Sequence, residues 1–228
     1  MDLEKTRLSG IKAAIIDLDG TMIDTALDFR AALNTVRADL SLSPQSLELV
    51  RTFVGRGFER LVRGSLSADY DENELEKVLP RARELFLKHY ADVNGKESVL
   101  YPEVSEGLQA FRDKGLRLAC VTNKQSRFAI PLMKKLKIHD FFDVIYPGDA
   151  LEKMKPDPLP MLTACKHFGI ETKEAVVIGD SVNDFGAARA AGCRMFALPY
   201  GYNHGRPVQE IDSDGIVQTI LDASRRIN

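Results

Sequence analysis

The sequence has no tryptophan, few cysteines and histidines, and almost no net charge. Its three cysteines, Cys120, Cys165 and Cys193, lie far apart and form no CxxC pair, which favours buried reduced thiols over a disulfide framework. The four histidines form no HxxxH or mixed Cys/His group, so a zinc site is not indicated. The formal net charge of -2 argues against a broad basic surface for nucleic acid or anionic lipid.

Long hydrophobic runs are also missing. No run approaches the roughly 18 apolar residues of a membrane span, and the opening MDLEKTRLSG lacks the apolar core of a signal peptide. The chain shows no repeat with a period of about 20 to 50 residues. We therefore expect a cytoplasmic globular protein, monomeric or homodimeric, whose partner is a small molecule rather than a nucleic acid or a membrane.

The sequence does contain short apolar runs that are typical of strands buried on both faces. These runs are KAAIID at 12–17, LRLACVT at 116–122, DVIYPG at 143–148, AVVIGD at 175–180 and RMFALP at 194–199. Segments with helical periodicity separate the later runs. This alternation predicts an α/β fold with a doubly wound, mainly parallel, Rossmann-like sheet.

Between the first two predicted strands the alternation stops. Residues 24–94 show helical periodicity without an intervening strand, as in DTALDFRAALNTVRADL and ENELEKVLPRARELFLKHYADV. Within this segment, Ser43 as an N-cap and Pro44 at the first helical position predict the start of a helix. We therefore expect a small helical cap domain at 24–94 over a core domain formed by residues 1–23 and 95–228.

Polar side chains follow the predicted strands. The set comprises Asp17, Asp19, Thr122, Asn123, Lys155, Asp180 and Asp184. Because ligands of a parallel sheet bind beyond the carboxyl ends of its strands, we expect these side chains to converge. Carboxylate oxygens suit Mg²⁺, and a divalent cation removes the repulsion between close acids. The residues therefore indicate a magnesium ion, with Asp17 and Asp180 as ligands, over a phosphate group.

Four of these residues also have a structural interpretation. Thr122 and Asn123 could cap the following helix, Lys155 could be a solvated surface lysine, and Asp184 could be a first-turn acid that the helix dipole favours. These readings leave the coincidence of several strand ends unexplained, so we favour a catalytic site.

Four segments, DLDGT, VTN, KPDP and GDSVND, occur in the order of the four motifs of the haloacid-dehalogenase superfamily of phosphotransferases, which the chain therefore resembles. The helical segment is similar to the C1 cap of that family. Finer features resemble the bacterial phosphoglycolate phosphatases, namely YPEV, VTNK, GDSVNDFGAARAAGC and YGYNHG. The resemblance implies a Mg²⁺-dependent phosphomonoesterase that hydrolyses 2-phosphoglycolate to glycolate and phosphate.

The resemblance also implies roles in phosphoryl transfer. Asp17 would attack phosphorus and form an aspartyl phosphate, which water then hydrolyses. Asp19 would protonate the leaving alcohol and later accept a proton from that water. Thr122 and Lys155 would neutralise the phosphoryl oxygens, with Asn123 as a weaker phosphate contact.

For the metal, the resemblance implies Asp17, Asp180 and the backbone carbonyl of Asp19 as ligands. Asp184 would orient metal-bound waters or Lys155.

Substrate choice is expected to come from the cap, because the core motifs recognise only a phosphoryl group. Arg56 in VGRGF, at 54–58, could grip a carboxylate by paired hydrogen bonds. It stands where the phosphoglycolate phosphatases are expected to carry Asn, and it could instead point to solvent. His204 in YGYNHG is interpreted as structural, because Asp19 already fills the acid–base role.

Other functions remain open at this point. The same core would serve a phosphatase of sugar phosphates or nucleotides, or a phosphomutase whose cap retains a bisphosphorylated intermediate. A dehalogenase is disfavoured, since its chemistry needs neither Asp19 nor a metal-binding Asp180. A signalling module phosphorylated on aspartate ranks last, because such modules are about half this length and carry no helical cap.

Overall fold

The computed structural model describes residues 6–228. Its strands are β1 (Ala13–Ile16), β2 (Ile23–Asp24), β3 (Val99–Leu100), β4 (Arg117–Val121), β5 (Val144–Tyr146), β6 (Ala175–Gly179), β7 (Arg194–Ala197) and β8 (Gly215–Ile216). Its α-helices are α1 (Ala26–Asp39), α2 (Leu47–Arg51), α3 (Phe58–Leu66), α4 (Glu72–Val93), α5 (Val104–Asp113), α6 (Ser126–Lys135), α7 (Leu159–Phe168), α8 (Val182–Ala191) and α9 (Ile220–Arg225).

The main sheet has the strand order β5-β4-β1-β6-β7-β8, and all neighbouring strands are parallel. Every residue of β1 and β6 is buried, because helices cover both faces of the sheet. The predicted α/β class with a doubly wound parallel sheet is confirmed, and each of the five predicted strand runs contains one strand of this sheet.

Two apolar layers lie on opposite faces of the sheet. One contains Leu108 of α5, Met133 of α6 and Ile220 of α9. The other contains Met161 of α7 and Ala187 of α8. Burial of these side chains holds the helices against the sheet and fixes where each strand ends.

The helices α1 to α4, which we call the cap, lie between β2 and β3, and these two strands form an antiparallel ribbon that connects them to the core. In this ribbon Ile23 pairs with Leu100 and Asp24 with Val99, so the chain enters and leaves the cap at adjacent points. The buried carboxylate of Asp28 on α1 closes the connection: it accepts hydrogen bonds from the amides of Gly95 and Glu97, at 2.7 and 2.8 Å.

The cap has an apolar core of its own, rich in aromatic rings. Phe86 stacks on Tyr90 at a centroid distance of 5.3 Å, and Tyr90 stacks on Phe29 at 4.8 Å. Phe128 of α6 packs edge-on against Tyr90 at 4.9 Å. This aromatic cluster therefore extends from the cap to the surface of the core that faces it.

The predicted start of the second cap helix at Ser43 and Pro44 is wrong. The helix begins after Ser46, whose side chain accepts the amide of Leu49. Asn34 of α1 exchanges two hydrogen bonds with the backbone of Gln45, at 2.8 and 3.1 Å. These tertiary bonds hold the residues before Ser46 in a non-helical conformation, which the local Ser-Pro pattern does not reveal.

The long cap helix α4 runs without a break from Glu72 to Val93 and contains Pro80. Among residues 6–228, no helix combines the length and the apolar content that a membrane span requires.

Candidate active site

Three carboxylates meet at the carboxyl edge of the sheet. Asp17 directly follows β1, and its amide continues the parallel ladder by donating to the carbonyl of Ile178, at 3.0 Å. Asp180 follows the neighbouring strand β6, and Asp184 lies in the first turn of α8. One oxygen from each of the three acids lies within 4.8 Å of the others. Neighbouring strands thus bring together acids that are far apart in sequence.

The side chain of Asp180 is held from several directions. The hydroxyl of Thr21 donates to one of its oxygens and the amide of Tyr202 to the other, both at 2.7 Å. A Cβ on Gly20 would lie 2.6 Å from the Asp180 carboxylate, and a Cβ on Gly201 would lie 2.3 Å from it. Both positions therefore require glycine, and the late YGYNHG loop supports the acid cluster.

Lys155 neutralises part of this negative charge. Its Nζ lies 2.7 Å from Asp17 and 2.7 Å from Asp184, and it also donates to the carbonyl of Val121 at 2.8 Å. Burial alone would lower the pKa of Lys155, but the charges of Asp17 and Asp184 outweigh it and raise that pKa. Lys155 is thus a buried cation and not a solvated surface lysine.

Asp184 combines a structural and an electrostatic contact. Its Oδ2 accepts the amide and the hydroxyl of Ser181, at 3.1 and 2.7 Å, which completes a capping box at the start of α8. Its Oδ1 accepts from Lys155. Asp184 is therefore both the first-turn acid of the structural interpretation and a hydrogen-bond partner that orients Lys155.

The acid cluster carries excess negative charge. Burial, together with the charge of Asp184, raises the pKa of Asp17 well above its usual value, despite the opposing charge of Lys155. The same two causes raise the pKa of Asp180 to about 6. One lysine thus compensates three acids incompletely, which is the condition under which a bound cation stabilises a site.

Thr122 and Asn123 lie at the end of β4, beside the acids. The hydroxyl of Thr122 accepts a hydrogen bond from the amide of Lys124 at 3.2 Å. Thr122 and Asp17 line the same cavity. The side-chain amide of Asn123 donates to the carbonyls of Gly55 and Lys155, both at 2.9 Å. Asn123 therefore connects the cap loop to the KPDP loop of the core.

A cavity of about 40 Å³ lies between the cap and the strand ends. Its core side contains Asp17, Asp19, Thr122, Asn123 and Lys124. Its cap side is mainly apolar and includes Phe29, Val54, Phe58, Leu61, Phe86 and Tyr90. The volume is sufficient for a few water molecules.

Lys124 is a residue of this site that the sequence analysis did not identify. Its side chain is 3% exposed, and its Nζ donates to Asp19 at 3.0 Å and to the hydroxyl of Tyr90 at 2.5 Å. Burial lowers the pKa of Lys124, and the charge of Asp19 opposes that shift. The quoted VTNK motif contained the residue, but its burial depends on the cap, which lies elsewhere in the sequence.

Asp19 faces a different partner from the other acids. Its carboxylate pairs with Lys124 and lines the cavity, and it is not a member of the cluster formed by Asp17, Asp180 and Asp184. The side chain of Asp19 thus lines the cavity without being a member of the acid cluster.

Arg56 lies outside the cavity. It is exposed, and its Nε donates to Nε2 of His204 at 3.3 Å. The side-chain amide of Asn183 lies 3.1 Å from the same nitrogen, so His204 receives both contacts at Nε2. Burial, with the nearby charge of Arg56, lowers the pKa of His204. His204 therefore connects the core to the cap loop, which agrees with the structural role expected for it.

Comparisons with known proteins agree with this architecture. Residues 14–198 match the sequence model of the haloacid dehalogenase-like hydrolase family, and the chain belongs to this family. It is 44% identical over 217 residues to a phosphoglycolate phosphatase from Nitrosospira multiformis, covering 95% of this chain and 96% of that one. It is 45% identical over 214 residues to a phosphoglycolate phosphatase from Thiobacillus denitrificans, covering 94% of each.

A solved structure is similar over nearly the whole chain. The crystal structure of a predicted phosphoglycolate phosphatase from Haemophilus somnus superposes with a TM-score of 0.88 at 30% identity, covering 95% of this chain and 97% of that one. Together with the family match, these relatives identify the chain as an enzyme of the phosphomonoester hydrolase class. The resemblance drawn from the four motifs is confirmed.

Proposed function

We propose that the protein hydrolyses 2-phosphoglycolate to glycolate and inorganic phosphate. The observation that carries the proposal is the position of Asp17, which ends β1, lies 2.7 Å from Lys155 and lines the cavity under the cap. The names of the relatives support this choice of substrate. The expected partner is accordingly a small phosphorylated metabolite.

The carboxylates fit Mg²⁺ by their chemistry. Asp17, Asp180 and Asp184 offer buried oxygen atoms, which are the ligands that Mg²⁺ takes. The raised pKa values of Asp17 and Asp180 reflect burial and negative charge that a cation would compensate. We propose Asp17 and Asp180 as ligands, with the backbone carbonyl of Asp19, while Asp184 orients Lys155 or metal-bound waters. When bound, the ion would neutralise phosphoryl oxygens beside Asp17.

In the first step of the proposed reaction, an oxygen of Asp17 attacks phosphorus, and the bond from phosphorus to the ester oxygen breaks. Asp19 gives its proton to the leaving glycolate oxygen. Lys155 and Thr122 stabilise the negative phosphoryl oxygens, with Asn123 as a further contact after the cap moves. The product of this step is an aspartyl phosphate on Asp17.

In the second step, water attacks the same phosphorus and transfers a proton to Asp19. The bond between phosphorus and Asp17 breaks, which releases inorganic phosphate and restores the carboxylate. We expect the cap to open and close around these steps, because the cavity is small and aromatic walls would exclude bulk water from the first step.

The proposed carboxylate contact of Arg56 requires a different arrangement of the cap loop. In this structure Arg56 contacts His204 on the outside of the cavity, so a substrate role would need the side chain to turn inward. That role stays a prediction.

The test is phosphate release from a panel of phosphomonoesters with and without Mg²⁺. The panel contains 2-phosphoglycolate, several sugar phosphates and several nucleotides. We expect metal-dependent turnover with a clear preference for 2-phosphoglycolate. A preference for a sugar phosphate or a nucleotide would overturn the substrate, and transfer of the phosphoryl group to a second sugar would identify a mutase.

A further inference from the structure

Lys124 places a positive charge of the core against aromatic rings of the cap. Its Nζ lies 4.4 Å from the centre of the Phe29 ring and 4.8 Å from that of Tyr90. Phe29 and Tyr90 belong to the cap, whereas Lys124 follows β4 of the core. A buried ammonium group is costly unless it is compensated, and an apolar side chain of similar length would pack against these rings without that cost.

The hydrogen bonds of Lys124 leave capacity for a ligand. An ammonium group has three N–H donors, and two of them are directed at Asp19 and at the hydroxyl of Tyr90. Among the hydrogen bonds of residues 6–228, the Tyr90 hydroxyl only accepts, and its own hydrogen has no acceptor. The cavity thus presents two unused donors next to each other, one from the core and one from the cap.

The position of these donors matches one part of the proposed substrate. In 2-phosphoglycolate a single CH₂ group separates the carboxylate from the ester oxygen that Asp19 would protonate. Lys124 lies 3.0 Å from Asp19, so a carboxylate one carbon beyond that oxygen comes within reach of its Nζ. Lys155, in contrast, is engaged by Asp17 and Asp184 on the phosphoryl side.

Lys124 is also the only cation among the described residues that line the cavity. Arg56, the other candidate for a carboxylate, lies outside it against His204. The remaining walls on the cap side are aromatic or aliphatic, and they offer few partners for the hydroxyl groups of a sugar.

We propose that Lys124, assisted by the hydroxyl of Tyr90, binds the substrate carboxylate and selects small phosphorylated 2-hydroxy acids. This inference rests on the proposed function and names the residue that binds the part of the substrate beyond the phosphoryl group. Because Tyr90 belongs to the cap and Lys124 to the core, the carboxylate would be bound fully only when the cap is closed.

The test compares two substrates that differ in the carboxylate. One is 2-phosphoglycolate, and the other is 2-hydroxyethyl phosphate, in which a neutral alcohol replaces it. The variants are Lys124→Met, which keeps the length and removes the charge, and Lys124→Arg, which keeps the charge. We expect Lys124→Met to lose about 10- to 100-fold more kcat/KM on 2-phosphoglycolate than on 2-hydroxyethyl phosphate. We expect Lys124→Arg to recover part of that difference.

A purely positioning role for Lys124, acting through Asp19, makes a different prediction. In that case both substrates would lose kcat/KM by the same factor, mainly in kcat, and the proposal would be overturned. A selective loss in Arg56→Ala that is absent from Lys124→Met would overturn it as well.

Two further measurements keep the test decisive if Lys124→Met does not fold. Tyr90→Phe keeps the stacked ring and removes only the hydroxyl, and we expect a selective loss of about 3- to 10-fold on 2-phosphoglycolate. In the wild-type enzyme, 3-phosphonopropionate should inhibit more strongly than propylphosphonate, which lacks the carboxylate. Equal inhibition by the two, or an unselective Tyr90→Phe, would contradict the proposal.

The wild-type results separate the two proposals. Suppose that the wild-type enzyme prefers 2-phosphoglycolate, but Lys124→Met and Tyr90→Phe each lose the same factor of activity on 2-phosphoglycolate and on 2-hydroxyethyl phosphate. In that case the assignment of Lys124 fails and the proposed function stands. If the wild-type enzyme shows no preference for 2-phosphoglycolate, the proposed function fails, and the assignment of Lys124 fails with it.

Discussion

On the core side of the cavity, polar side chains at strand ends are held by hydrogen bonds to their neighbours, as Asp180 is by Thr21 and Tyr202. On the cap side, stacked rings of Phe29, Phe86 and Tyr90 face the same space with a single hydroxyl. The core side can stabilise charge on a phosphoryl group, whereas the cap side can mainly exclude water and select by shape. From this difference we infer that the core carries out phosphoryl transfer and that the cap selects the substrate. The two regions meet at Lys124.

Replacing the proposed nucleophile tests most strongly whether phosphoryl transfer depends on the core side. We expect Asp17→Asn to lose on the order of 10⁴-fold in kcat on every substrate, because an amide oxygen is a poor nucleophile. The variant should remain folded, since it removes one of three mutually repelling acids. Phosphate release and a thermal melt check the two points. Substantial residual turnover would mean that the core chemistry does not depend on Asp17.

Lys155 tests whether the core side depends on charge compensation. We expect Lys155→Met to reduce kcat about 100- to 1,000-fold and to destabilise the metal-free protein by about 3–5 kcal/mol, because Asp17 and Asp184 lose a buried partner. Denaturant unfolding and phosphate release measure the effects. The matched control is Lys153→Met, two residues away, whose side chain is 66% exposed and which should change little. Equal effects of the two variants would contradict the role of Lys155.

The aromatic cluster of the cap gives a test of the two regions as separate folding units. Phe86 is fully buried in the cap, and Phe111 is fully buried in the core. We expect Phe86→Ala to cost about 3–5 kcal/mol and to speed hydrogen exchange in 24–94 more than in the sheet. Phe111→Ala should show the opposite pattern. If each variant speeds exchange equally in both regions, the cap and the core unfold as one unit and the comparison fails.

The smallest expected effect concerns pH and the acid cluster. Because the pKa of Asp180 is raised to about 6, the folded metal-free protein holds its proton more tightly than the unfolded chain does. Stability of the metal-free protein should therefore fall as the pH rises from about 4 to about 6. Mg²⁺ competes with that proton, so its affinity should fall about tenfold per pH unit below 6.

Thermal melts with and without Mg²⁺ at pH 5 and pH 7.5 check this prediction. We expect the Mg²⁺-dependent rise in Tm to be larger at pH 7.5. An equal rise at both values would show that the proposed metal does not compete with protons at these acids. Asp143, an acid far from the site that is bonded to Leu118 and Arg112, offers a control through Asp143→Asn, which should leave the pH dependence of the Mg²⁺ effect intact.

Much of the core could be predicted from the sequence because its signals are local. The continuous apolar runs of β1 and β6 mark strands buried on both faces, and a parallel sheet places their carboxyl ends at one edge. The meeting of Asp17 with Asp180 follows from that topology. The ion pair between Lys155 and Asp17 was not predicted. The resemblance implied only that Lys155 contacts phosphoryl oxygens, and the KPDP loop has no periodic signal that fixes its path.

The cap side could be predicted less well, because its decisive contacts are tertiary. The start of α2 depends on Asn34 holding the backbone of Gln45. The burial of Lys124 depends on Tyr90, which lies in the cap helix α4, distant from Lys124 in the sequence. A lysine that follows a strand is usually interpreted as solvent-exposed. For Arg56 the sequence left two positions open, one against the substrate and one in solvent, and the structure shows the second.

The most direct test of the central claim is to locate the phosphoryl group on the enzyme. The protein is mixed with labelled 2-phosphoglycolate and Mg²⁺, quenched in acid during turnover, and reduced with borohydride, which converts a phosphorylated aspartate into homoserine. We predict homoserine at position 17, distinguishable by peptide sequencing from Asp19, and none in Asp17→Asn. Homoserine at another position, or a complete turnover that never labels the protein, would contradict the account.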